Sequence, residues 1–357
     1  MSRLNMLRAM LPVLLATACA GSPTPSGSTR GPSDAPGDRP SDRPSDRPSD
    51  QAVPTLPTGC PGSMIPGSAP SGPSIAAAIF LGCQAGAVAA SRDSIWVVPH
   101  LNPVALRIDP ATNDVVAGTP LGDRGPGAEI AGDEEMVWAS VSTRSYDLDR
   151  IVRIDPVTGK VIATLDLAAA FPVIGAGFAW AVGDNVVYRI DPVANTVAAS
   201  IAVGFGCLVT IVGERVFCIG YNQAAEIDPA TDDVTPVQGV PRGSPVEGAD
   251  GLLWGVNPES LWAFNVTTGR VEAELVPPSG STTWGLDAVV ADGTLWVTAG
   301  DDPSGESNRL VRIDREAKAV DCVIETPIPE LGIGAGFGAI WLPVMRKPWL
   351  LRIEPTC

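Results

Sequence analysis

A chain of 357 residues with a formal net charge of −16 and only three lysines, Lys160, Lys318 and Lys347, repels a phosphate backbone over most of its surface, which argues against nucleic acid as a partner. Aromatic residues are few, at 5%, Gly (38) and Pro (35) are plentiful, and the apolar residues fall in short runs of Val, Ile, Leu and Ala. Such a composition points away from long helices and towards many short strands joined by turns.

Residues 1–19 carry Arg3 and Arg8, the apolar run Met10 to Leu15, and then Ala16-Thr17-Ala18-Cys19. A basic start, a short apolar core and small residues make a secretion signal, and the run is too short to span a bilayer. The stretch resembles a bacterial lipoprotein signal, in which Cys19 would carry lipid, although Ala16 stands where that signal usually has Leu. An ordinary cleaved signal peptide is the alternative. The expected location is extracytoplasmic, either lipid-anchored at the membrane surface or secreted, with no membrane contact beyond the anchor.

Residues 20–57 are mostly Ser, Pro, Gly, Asp and Arg, with Asp-Arg-Pro three times between Asp38 and Pro48. They cannot bury enough apolar surface to offset their ordering entropy, and read as a disordered tether. A tether of this length reaches about 35 Å as a coil and about 120 Å as polyproline II.

Residues 58–357 are expected to form one domain, because a short pattern returns seven times along them. Each copy has an aromatic strand (Trp96, Trp138, Trp180, Phe217, Trp254, Trp296, Trp341) and then a strand ending at Asp109, Asp155, Asp191, Asp228, Asn265, Asp314 or Glu354, often as Arg-Ile-Asp-Pro. The aromatic strands are apolar on consecutive residues, as in Ile95-Trp96-Val97-Val98, and so are covered on both faces. The following strand alternates, as in Leu106-Arg107-Ile108-Asp109, and is expected to be half exposed. Ahead of each anchor come small residues such as Gly175-Ala176-Gly177 and Val246-Glu247-Gly248-Ala249, suited to strands that converge on an axis. A small inner strand, an aromatic second, an alternating third and a polar fourth make one blade of an all-β, seven-bladed propeller.

The last copy ends at Ile353-Glu354-Pro355-Thr356-Cys357 with no fourth strand after it, while Ser74 to Gly82 resembles the fourth strand Thr196 to Gly204. The amino-terminal strand is therefore expected to complete the seventh blade. The Asp-Pro ends read as turn formers: Pro fixes φ, Asp accepts from amides ahead of it, and Gly159 or Gly269 supplies positive φ.

Six cysteines follow Cys19, which favours disulfides in an exported chain. Cys207 with Cys218 is the first expectation, and Cys357 is expected to join Cys60 or Cys322. A zinc site is not indicated, since no Cys-x-x-Cys occurs and His100 is the one histidine.

On the repeat Trp…Arg-Ile-Asp-Pro-x-Thr-Gly-x-Val, residues 73–357 resemble the bacterial seven-bladed YVTN-repeat and virginiamycin B lyase-like propellers and, more distantly, the repeats of pyrroloquinoline quinone dehydrogenases. The lyases rely on paired histidines, a glutamate and magnesium; His100 is alone here and no Glu-x-His occurs, so that set does not map. The quinone enzymes show an outer-strand Trp and eight blades, and neither feature is visible. No cofactor follows from the resemblance.

Ligands of such propellers usually bind at the upper face, formed by the second-to-third and fourth-to-first strand loops. The residues expected there are His100, Arg144, Tyr146, Tyr221, Arg242, Trp284, Asp302 and Arg346, with Arg144, Arg242 and Arg346 suited to an anion and Tyr146 and Trp284 to flat apolar contact, although burial against a neighbouring blade is the simpler reading of Trp284. The loops 142–148 and 300–308 are the longest, and long loops on a rigid scaffold tend to carry function. Asp301, Asp302, Ser304 and Glu306 contain oxygen ligands for calcium but lack a regular spacing, so an ordinary acidic loop is the simpler reading. The expected function is binding of a small-molecule or protein ligand by a monomer without catalysis. The alternative is a divergent lyase or hydrolase in which His100 works with channel carboxylates.

Overall fold

The computed structural model describes residues 64, 67–100, 102–122, 127–141, 150–257, 259–301, 308–327, 329 and 332–357. They form seven four-stranded antiparallel sheets and no helix. Each inner strand touches the inner strand of the next sheet, and the seventh touches the first, so the sheets close a ring. The first blade runs outward through Val88–Ser91, Ser94–Val97, Val104–Asp109 and Asp114–Pro120. In the seventh, Ile75–Phe80 pairs antiparallel with Trp349–Ile353, which places the first strand of the chain outside the last one, as its sequence implied.

All seven aromatic anchors lie in the seams between blades, at most 1% exposed. Trp96, for example, packs with Val137, Val152 and Ile154 of the second blade. The third strands are more deeply covered than their alternation suggested. Ala105, Leu106 and Ile108 are all at 0% exposure, while Arg107 and Asp109 on that strand are half-buried.

That arginine explains the repeat. Arg107 stands opposite Trp96, with its guanidinium 5.9 Å from the ring centroid, and reaches the next blade to donate to the Val157 carbonyl at 2.9 Å. Arg153 donates to the Pro192 carbonyl and to Asn195 Oδ1 of the third blade, and Arg189 to the Pro229 carbonyl of the fourth at 2.7 Å. In the fourth blade the second-strand Arg215 takes over and reaches the Val266 carbonyl at 2.8 Å. Arg352 closes the circle on the Pro110 carbonyl of the first blade at 2.6 Å.

The acceptors are presented by the Asp-Pro hairpins. Asp155 Oδ1 accepts the amides of Val157 and Thr158 at 2.9 and 2.8 Å, and Gly159 closes the turn onto the Asp155 carbonyl at 2.9 Å. Gly159 and Gly269 have φ of 69° and 67°; Asn113, Asn195 and Asp232 occupy the same place at 63°, 56° and 65°. Asn and Asp tolerate this left-handed geometry better than other side chains do.

Two seams lack the arginine. Between the fifth and sixth blades Lys318 pairs with Glu272 and Arg315 with Asp250. Between the sixth and seventh, Arg312 stays on its own blade with Asp321 at 2.8 Å, and the Cys322–Cys357 disulfide crosses instead. Cys207–Cys218 links neighbouring strands of the fourth blade, and Cys83 is also disulfide-bonded. Residues 1–57, with Cys19, fall outside the described residues.

Candidate functional site

The upper face is made where second strands turn into third strands and outer strands into the next inner strand. His100 lies there in the first blade, Arg346 in the seventh, Tyr221 in the fourth, and Arg242 just ahead of the fifth blade's inner strand; all four are exposed. They form two pairs on opposite arcs of the ring. The amide of Ala85 donates to the Lys347 carbonyl and that of His100 to the Gln84 carbonyl, joining the loops of Arg346 and His100. Across the ring, the Gly243 amide donates to the Tyr221 carbonyl, and Asn257 Nδ2 to the Arg242 carbonyl at 3.3 Å. No hydrogen bond or ion pair inside the protein engages the side chains of His100, Tyr221 or Arg242 among the described residues.

Trp284 does not belong to this surface. It is 3% exposed, packs with Trp254, Val256 and Leu261 in the seam between the fifth and sixth blades, and donates its indole N–H to the Leu275 carbonyl at 2.9 Å. An indole satisfied and covered in this way has no ring face left for a ligand. Arg144, Tyr146 and Asp302 lie outside the described residues, as do most of the two long loops.

The inner strands add three carboxylates that the loop-centred reading passed over: Glu129, Glu247 and Asp287. The inner strands of the second and sixth blades both bulge ahead of the anchor. In the second, the buried Ser140 hydroxyl accepts from the Glu129 amide at 3.1 Å; in the sixth, the buried Thr298 hydroxyl donates to the Asp287 carbonyl at 3.1 Å. A second-strand hydroxyl thus satisfies backbone that the bulge withdraws from the ladder. Asp287 Oδ2 also accepts the Gly332 amide of the seventh blade at 3.1 Å. The third blade bulges as well, and there Phe171 sits at φ 53°, a conformation bulky side chains rarely adopt.

Glu247 lies deeper, opposite Trp254 and near the lower turn at Asp250-Gly251. Burial pushes its carboxyl up to about 7, against the opposing pull of the Gly248 amide and the Arg315 charge. The signal for these residues was present in the sequence: each is an acid in a strand otherwise built of small or apolar residues. Among the described residues no three His, Cys, Asp or Glu side chains come together as a metal site.

No family model matches the chain, and no curated protein matches it. Among solved structures, a chain titled hydrazine synthase of Kuenenia stuttgartiensis is similar with a TM-score of 0.62 at 12% identity, over 76% of this chain and 96% of that one. A chain of a mitotic checkpoint complex is similar at 0.60 and 11%, over 83% and 96%. At these identities the likeness is one of fold.

Proposed function

We propose that this protein is an extracytoplasmic propeller, tethered to a membrane surface through Cys19 and residues 20–57, that binds a ligand or a protein partner on its upper face without catalysing a reaction. The reading rests on one observation: among the described residues, the exposed His100, Tyr221 and Arg242 side chains are free of the internal bonds that occupy the repeat arginines. Polar and aromatic groups on loops above a rigid scaffold are available for recognition. The disulfides suit an oxidising compartment. Within the propellers, the Arg-Ile-Asp-Pro repeat supports placing the chain with the YVTN-repeat group, in a lipoprotein form.

The test is capture from cell-envelope extract on the immobilised protein. A retained molecule is expected, and the triple variant His100→Ala, Tyr221→Ala, Arg242→Ala is expected to retain at least about tenfold less, as loss of charged and aromatic contacts implies. Turnover of a substrate with nothing retained would overturn the binding reading in favour of a divergent lyase or hydrolase. Replacing Cys19 with Ala is expected to move the protein from the membrane fraction to the soluble one.

A further inference from the structure

At the level of the aromatic anchors, each inner strand sets one residue directly across from an anchor. Six of these are Ala89, Ala131, Val173, Thr210, Val289 and Gly334. The seventh is Glu247, the one charged residue of the tier. It belongs to an innermost strand, it is half-buried, and its register with Trp254 turns it towards the sixth blade.

Inside the fold this carboxylate is poorly served. Oε1 accepts the amide of the adjacent Gly248 at 2.9 Å, and Oε2 has no hydrogen-bond partner among the described residues. The opposing charge, Arg315, is committed to Asp250 at 2.7 Å and to the Gly293 carbonyl. The seam alongside is built from Val246, Ala288 and Val290. Oε2 is not sealed from solvent, and a carboxylate among apolar groups with one oxygen unused inside the fold carries a cost that one amide only partly compensates.

What would offset it is a cation. A bare metal ion is a poor match, because among the described residues Glu247 belongs to no group of three or more His, Cys, Asp or Glu side chains that could complete a coordination shell. A protonated amine suits it better. It brings its own N–H donors, needs few acceptors, and trails an alkyl chain that Val and Ala side chains can cover. The net charge of −16 concentrates such cations around the molecule.

We propose that the channel wall at Glu247 is a binding site for a small linear primary ammonium compound, with the ammonium on Oε2 and the alkyl chain along the apolar inner strands. The site is separate from the upper face, and none of His100, Tyr221 or Arg242 takes part in it.

Isothermal titration of the full chain at pH 8 tests this, with 1-aminohexane as probe and 1-hexanol as its uncharged counterpart. Saturable binding of one amine per chain is expected, with hexanol at least about tenfold weaker, as a charge-assisted hydrogen bond implies. Glu247→Gln is expected to weaken the amine by a similar factor. Glu316→Gln, which removes an exposed acid on a hairpin of the sixth blade, is expected to leave binding unchanged. Because the Gln variant sheds a poorly solvated charge, it is expected to fold, and its unfolding midpoint verifies that. The proposal is overturned if wild type shows no saturable amine binding, if Glu247→Gln binds as wild type does, or if hexanol binds as well as the amine.

Discussion

Arg352 crosses Trp341 with its guanidinium 5.5 Å from the ring centroid and ends on the Pro110 carbonyl, so one side chain covers an aromatic and joins the last blade to the first. Arg352→Met keeps most of the apolar contact and removes the charge. It is expected to cost about 2 kcal/mol, the scale of a charged hydrogen bond with a cation–π contribution, in urea unfolding. Glu247 gives a prediction of opposite sign. Its folded carboxyl titrates near 7 instead of 4.5, so the protein binds a proton more tightly folded than unfolded. Stability from that proton is complete below pH 4.5 and is lost as pH rises through about 7. Glu247→Gln is therefore expected to match wild type at pH 4 and to exceed it at pH 8 by up to about 3 kcal/mol, which paired denaturant titrations would detect.

At the scale of the strand and the hairpin, the Asp-Pro turn is a structural device with its own pH dependence. Asp155 is held below the ordinary carboxylate range chiefly by the Thr158 amide, helped by that of Val157. The stability it confers is present above pH 3.8 and fades as pH falls through the lowered value, so Asp155→Ala is expected to cost about 1 kcal/mol at pH 7 and progressively less in acid. Trp284→Ala is expected to cost about 3–5 kcal/mol by leaving a cavity in the seam, and to leave upper-face binding intact once the fold is restored by low temperature. These elements differ in how readily the sequence discloses them. The anchors, the Asp-Pro ends and the transposed first strand could be read because each follows a local rule of periodicity or turn chemistry. The arginine contacts could not, since they join residues 39 to 51 positions apart, or 242 apart for Arg352, whose approach is set by ring closure. Trp284 stood between two readings, a ligand contact and burial against a neighbouring blade, and the packing of the fifth and sixth blades decides for burial. Glu247 lay inside a stretch read as merely small.

For the molecule as a whole, the seam between the sixth and seventh blades is, among the described residues, held by a covalent bond between two blades where the neighbouring seams use side-chain hydrogen bonds or ion pairs. Blade seven has no hairpin between its third and outer strands, because those strands come from opposite ends of the chain, and Arg312 therefore pairs at home. Cys322–Cys357 spans the gap. Replacing both cysteines with Ser is expected to cost about 2–4 kcal/mol. It is also expected to speed hydrogen exchange in Ile75–Phe80 and Trp349–Ile353 before the rest of the ring. The matching change at Cys207 and Cys218, confined to one blade, is expected to leave exchange at those two strands unaltered.

The pairing of Ile75–Phe80 with Trp349–Ile353 also sets the order of events at birth. The segment Ile-Ala-Ala-Ala-Ile-Phe emerges from the ribosome before any other strand of the wheel, and its partner emerges last. Throughout synthesis it remains an uncharged strand whose partner has yet to be made. A ring completed this way reaches its final form only after Trp349–Ile353 has been made, so it cannot close while those residues are still to be added.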